Sequence, residues 1–185
     1  MALSSTTLRR AVVASAVTVG VVGGFVYTAT SQTASVTLNG AGATFPAPLY
    51  QRYFQQFSQR NPNIRVNYQA VGSGAGVRQM IAGTVDFAGS DVAMKNDEMA
   101  RVSRGVIFIP TAGGPVAVVY NLPGVNNLKL SREALPGIFS GQITRWNDPR
   151  IASANPGVNL PNQPIRLAVR ADSSGTSFIF SNHLS

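Results

Sequence analysis

Val36-Thr37-Leu38-Asn39, running through Gly40-Ala41-Gly42-Ala43-Thr44-Phe45 into Pro46-Ala47-Pro48, is the stretch that decides the fold. A short β-branched strand enters a glycine-rich loop, and the loop opens onto a helix whose first turn tolerates proline. The pattern recurs. Ile64-Arg65-Val66-Asn67-Tyr68 alternates as a strand and delivers Gly72-Ser73-Gly74-Ala75-Gly76, with a short helix from Val77 to Ala82 ended by Gly83. Ile165 to Arg170 reads as a strand entering Asp172-Ser173-Ser174-Gly175-Thr176, with helix from Thr176 onward. Strand, loop and helix repeated in this way predict an α/β fold. Ligands of such folds lie beyond the carboxyl ends of the strands, where these three loops sit.

Outward from these loops, Leu49, Tyr53 and Phe57 repeat at helical spacing beside Tyr50 and Phe54, opposite a glutamine-rich face. This predicts an amphipathic helix, ending near Asn61-Pro62, whose aromatic stripe belongs to the core. Val85 to Gly89 reads as a short strand ending at Ser90-Asp91, and Asn96 to Ser103 as helix. Val106 to Pro110 and Val116 to Tyr120 are apolar, β-branched runs that predict buried strands, with a bend at Thr111 to Gly114 between them. Ser131 is placed to cap a helix that ends between Gly137 and Gly141, and Trp146 to Pro149 starts another short one.

The N-terminus has a different character. Arg9-Arg10 precede an uncharged apolar stretch from Ala11 to Tyr27, and small residues follow at Thr28 to Ser31. Residues 1–34 therefore read as an export signal, with an uncleaved membrane anchor as the alternative. The absence of cysteine excludes lipid attachment through a lipobox, disulfides and thiolate metal sites. The 185 residues, 44% apolar, suffice for one domain or two small ones. The net charge of +8 is compatible with nucleic acid or an anionic ligand. Nucleic acid is disfavoured, because the basic residues are scattered singly beyond Arg9-Arg10 and no nucleic-acid motif is present.

The chemistry of the loops narrows the choice. Free N–H groups at a helix N-terminus make an anion site, glycines admit the ligand to the backbone, and Ser or Thr hydroxyls add donors. Three such loops with one arginine and a few aspartates suggest a cage for a small oxyanion. The first loop is only a partial dinucleotide fingerprint, with Phe45 at its third glycine position and no acidic residue about 20 residues on. No Walker ending follows any of them. A hydrolase could be drawn from Ser73, Asp91 or Asp172, and His183, the sole histidine, but the nucleophile elbow is missing. One histidine and no cysteine make a metal site poor. A binding site is the reading, not a reaction centre.

Asp91 bears on which anion. A carboxylate among anion-binding loops repels a fully deprotonated ion but accepts a hydrogen bond from one that keeps a proton, as hydrogen phosphate does and sulfate does not. The plainer alternative makes Asp91 a helix cap. Asp172 has plain roles too, pairing with Arg170 or capping the last helix.

These motifs, with Val85-Asp86-Phe87-Ala88-Gly89-Ser90-Asp91 and Arg170-Ala171-Asp172-Ser173-Ser174-Gly175-Thr176-Ser177, occur in the order found in a known family. From about Leu38 to Leu184 the chain resembles the periplasmic phosphate-binding proteins of phosphate ABC transporters. The resemblance implies a type II periplasmic-binding fold of two α/β lobes with the ligand in the cleft between them, lobe 1 at 35–112 and lobe 2 at 113–185. It implies phosphate held by hydrogen bonds, without cofactor or metal. Thr44 and Phe45 would bind through the first loop, Ser73 through the second, and Ser174, Gly175 and Thr176 through the third. Asp91 would accept the phosphate proton, Arg170 would be the charge partner, and Asp172 would orient it. It further implies a periplasmic or otherwise extracytoplasmic location and delivery of phosphate to a membrane permease.

Family members run to roughly twice this length, so the resemblance also implies that the C-terminal part of the fold is missing, and with it strands of the second lobe. Unpaired strand edges and an exposed core face are then expected, and the chain would be a gene fragment, a split coding sequence, or one half that needs a complementary chain. Two alternatives stand beside the receptor: a secreted phosphate-ester hydrolase using Ser73 or Ser174, and an exported fragment that binds nothing. Molybdate, tungstate or sulfate as ligand is opposed by Asp91.

Overall fold

The computed structural model describes residues 35–185; the export signal read at 1–34 lies outside the described residues. The first half is built on three parallel strands in the order β2-β1-β3, with β1 at Val36–Gly42, β2 at Ile64–Ala70 and β3 at Phe87–Gly89. Central β1 pairs with β2 along its whole length, from Val36 opposite Ile64 to Gly42 opposite Ala70, and its last three residues pair with β3. All three strands therefore end at the same edge, and that edge carries the loops.

Helix α1 (Ala47–Arg60) follows the first loop with Pro46 and Pro48 at its start, and α2 (Ser73–Ala82) follows the second. The stripe that packs on the sheet from α1 is Tyr50 and Phe54. Tyr50 meets Tyr68 of β2 edge-on at 5.1 Å between ring centroids, and Phe54 meets Phe87 of β3 at 5.8 Å. Such aromatic pairs contribute beyond the area they bury. The expectation that the whole stripe is core is corrected at Tyr53 (55% exposed) and Phe57 (42%). A helix turns 100° per residue, so a sheet on one side cannot cover both lines of side chains.

Helix α2 begins within the second loop, four residues earlier than its sequence suggests. Gly72 adopts φ 88° as its N-cap, and the loop Gly72–Gly76 is largely the first turn of helix; Gly83 closes α2 in the left-handed region. The turn before β3 is held by Arg104, which donates to the carbonyls of Val85 and Asp86. The helix read at Asn96–Ser103 forms as α3, Asn96–Ala100.

The second half packs around Ala134, Ile138, Ile143 and Ile151, with Leu128, Leu130, Phe139, Leu160 and Ile165 against them. Helix α4 (Ala134–Phe139) is preceded by Ser131, whose Oγ accepts from the Ala134 N–H at 3.0 Å. Helix α5 (Pro149–Ala152) is capped by Asp148. Buried Asn155 ties α5 to the preceding segment, accepting from Lys129 N–H and donating to the Lys129 and Ile151 carbonyls. Helix α6 (Gly175–Leu184) leans on α4 through an edge-on contact of Phe180 with Phe139 at 4.7 Å.

Three expected strands are absent among the described residues. Segments 106–110, 116–120 and 165–170 are irregular, and Ile107 (84%), Val119 (88%) and Val169 (74%) stand exposed. β-propensity measures the fit to a pleated, half-buried surface, and these runs meet no neighbouring strand to supply one. Apolar side chains of these segments are accordingly exposed, but on irregular chain, so the unpaired strand edges expected of them are not what the structure shows.

Candidate functional site at the converging loops

The carboxyl edge of the sheet brings the three loops together. Gly42 ends β1 at φ 140°, and a Cβ there would strike the Gly89 carbonyl, so the turn into Ala43-Thr44 needs glycine. Ala43 N–H donates to Gly89 O at 2.8 Å, while Val71 and Gly72 N–H both donate to Gly42 O, at 3.0 and 2.9 Å. The first loop is thereby fixed to the ends of both neighbouring strands. The third loop docks on the second, with Gly74 N–H donating to Ser173 O at 3.0 Å. Gly175 approaches so closely that a Cβ there would lie 2.5 Å from Ser73 Oγ and 2.9 Å from Asp91 Cβ.

Two hydrogen-bonded chains run across this junction. In one, Arg170 Nη1 donates to Thr44 Oγ1 at 2.6 Å, its Nε donates to Asp172 Oδ1 at 2.6 Å, and its Nη2 pairs with Asp172 Oδ2. The two-pronged grip sets the plane of the guanidinium. In the other, Thr176 Oγ1 donates to Asp91 Oδ2 at 2.7 Å, and Asp91 N–H donates to Ser73 Oγ at 3.2 Å. Ser73 and Ser174 are buried. The Arg170 guanidinium holds the Asp172 carboxyl below the usual carboxylate range, first through the side-chain hydrogen bond. That hydrogen bond in turn raises Arg170, with the charges of Asp172 and Asp91 adding to it.

Of the sequence-derived residues, Thr44, Arg170 and Asp172 thus form one contacting group, and Ser73, Asp91, Gly175 and Thr176 form another. Ser174 is present as the N-cap of α6, its Oγ accepting from Ser177 N–H at 3.2 Å. Phe45 joins through its place beside Thr44, and its half-exposed ring lies against Gly114. The cap roles considered for the aspartates are corrected: α3 starts at Asn96 with Lys95 as N-cap, and Ser174, not Asp172, caps α6. Asp172 pairs with Arg170 instead.

The arrangement offers a cation, several hydroxyls and the N-termini of α2 and α6. The first-turn N–H groups of a helix have no partner within it, so those of Gly175 and Thr176 are available to an anion. It does not offer an activated nucleophile. Ser73 Oγ accepts from Asp91 N–H, Ser174 Oγ accepts from Ser177 N–H, and His183 is exposed in the last turn of α6. Among the described residues no three of His, Cys, Asp and Glu gather to hold a metal ion.

Tyr68 escaped the sequence reading as a site residue. Its hydroxyl donates to Ala43 O at 2.8 Å from behind the first loop. The period-2 alternation of β2 was the available signal, yet it marks a face and not a partner.

Residues 28–185 match the PBP superfamily domain. The phosphate-binding protein PstS of Pasteurella multocida is 45% identical over 155 residues, 83% of this chain and 44% of that protein. Phosphate-binding protein PstS 3 of Mycobacterium tuberculosis is 39% identical over 152 residues, covering 80% of this chain and 41% of that one. The chain thus spans less than half the length of these curated relatives. Among solved structures, an ABC-type phosphate transport receptor from Vibrio cholerae superposes with a TM-score of 0.52 at 24% identity, over 80% of this chain and 55% of that one. A Clostridium perfringens protein solved with bound phosphate gives 0.55 at 17% identity, over 80% and 56%. At these identities the structures speak to the fold, which is that of the phosphate-binding receptors.

Proposed function

The chain belongs to the PBP superfamily, and from that premise we propose that it is a phosphate receptor, not an enzyme, exported by residues 1–34 and serving a phosphate ABC transporter outside the cytoplasm. Phosphate is held at the junction of the three loops, between a first lobe at 35–112 and a second at 113–185. Arg170 neutralises its charge. Thr44, Phe45, Ser73, Ser174, Gly175 and Thr176 donate hydrogen bonds through hydroxyls and N–H groups. Asp91 accepts the proton that phosphate retains, and Asp172 orients the guanidinium. A membrane permease receives the ion.

The observation that carries this reading is the pairing of a cation chain with an acceptor chain at one spot. Arg170 reaches Thr44, while Asp91 is bridged between Thr176 and Ser73. A carboxylate at an anion site is costly unless the anion brings a proton to it. The names of the relatives support phosphate as that anion.

Calorimetric titration of the chain with phosphate and with sulfate at moderate salt tests the proposal. Saturable heat with phosphate and none with sulfate is expected. No heat with either ion overturns the receptor reading for this chain, and turnover of a chromogenic phosphate ester would replace it with the hydrolase.

A further inference from the structure

Ala43 has both of its backbone polar groups engaged. Its N–H donates to Gly89 O at 2.8 Å, and its carbonyl accepts from the Tyr68 hydroxyl at 2.8 Å. The described chain contains no cis peptide, so the N–H of Thr44 points away from the Ala43 carbonyl within the same plane. Whatever fixes that carbonyl also aims that N–H. On the far side of the loop, Thr44 Oγ1 receives Arg170 Nη1.

Tyr68 is itself immobilised. Its ring meets Tyr50 edge-on at 5.1 Å and stacks on Phe87 at 6.0 Å. Its hydroxyl fills the space that a Cβ at Gly89 would occupy. Burial, with Tyr50 and Asp91 adding to it, pushes the phenol far above its ordinary value, so the hydroxyl keeps its proton and stays a donor at any working pH.

We propose that Tyr68 is a positioning residue of the site: its hydroxyl locks the Ala43–Thr44 peptide so that the Thr44 N–H faces the anion. This rests on the receptor reading above and adds to it a residue that never touches the ligand. A tyrosine serving only as core would need its ring, not its hydroxyl. The hydroxyl is the part aimed at the loop.

Tyr68→Phe in the full chain removes the hydroxyl and keeps the ring. Amide spectra of labelled protein should show the Thr44 and Phe45 resonances moved and exchanging faster with water, with those of Ser174 to Thr176 unchanged. The phosphate Kd should rise about fivefold, the usual weight of one neutral hydrogen bond. Gly89→Ala, which pushes the hydroxyl aside with a methyl group, should move the same two resonances, and it stands in if Tyr68→Phe does not fold. Unmoved Thr44 and Phe45 resonances overturn the positioning role whether or not the chain binds phosphate. An unaltered chain that gives no heat with phosphate overturns the receptor reading instead, and the amide comparison still decides the role of Tyr68.

Discussion

Arg170 is held by two oxygens of Asp172 and spends its remaining arm on Thr44. Arg170→Ala is expected to weaken phosphate binding at least about thirtyfold, because truncating one partner of a hydrogen-bonded charge pair leaves the other uncompensated. Titration calorimetry checks this, and retained affinity would remove Arg170 from the site. Asp91→Asn should let sulfate bind, since the amide can donate where the carboxylate could only accept; competition of sulfate against phosphate is the measurement. Asp172 sets a pH dependence. Its folded pKa is depressed by the hydrogen bond from Arg170, so the pair's contribution is fully present above the unfolded carboxylate value of about 3.9 and disappears as pH falls through the lower folded value. A carboxyl-carbon NMR titration of Asp172 should therefore show a midpoint below about 3.9. Both side chains remain substantially exposed, so the pair orients Arg170 more than it stabilises the fold.

At the scale of elements, the loops are precise because strand ends and helix starts leave them little freedom. Gly42 sits against Gly89, Gly74 is tied to Ser173, and Gly175 lies against Ser73. Each contact joins a residue of one strand–loop–helix unit to another, so the site is a product of docking between units. The second half has its own anchor in Ile151, which is fully buried among Ala134, Ile138 and Ile143. Ile151→Ala is expected to cost about 2–5 kcal/mol through lost burial and the cavity left behind. Denaturant unfolding monitored at Trp146, which packs near Tyr120 at 6.4 Å, reads it out.

Across the whole molecule, apolar side chains from the irregular segments stand in solvent. Ile107 and Val119 are 84% and 88% exposed. Lysine at either position should change stability by less than about 0.5 kcal/mol, in contrast to Ile151→Ala, and should lower concentration-dependent association seen in light scattering. A large loss of stability on Ile107→Lys would mean that the segment is packed in solution. The same segments mark where reading the sequence failed. Val106–Pro110, Val116–Tyr120 and Ile165–Arg170 have the composition of buried strands and form none. Strand formation depends on a paired neighbour, and composition cannot report whether one is present.

Local signals were enough for what is local. A β-branched run marked β1, a period-2 run marked β2 and the proline-led aromatic repeat marked α1, while glycine with hydroxyl residues marked where strand passes into helix, although Gly40–Gly42 belong to β1 and Ser73–Gly76 to α2. The residue types at the loops also carry the proposed chemistry, Arg170 against a carboxylate among donors. What only the tertiary structure decided is who meets whom. That Tyr50 and Phe54 pack while Tyr53 and Phe57 do not, that Asp91 joins Thr176 across 85 positions, and that Tyr68 holds the Ala43 carbonyl depend on how a three-stranded sheet orients its helices and edges. Such contacts are long-range, and their partners leave no mark on the sequence beside them.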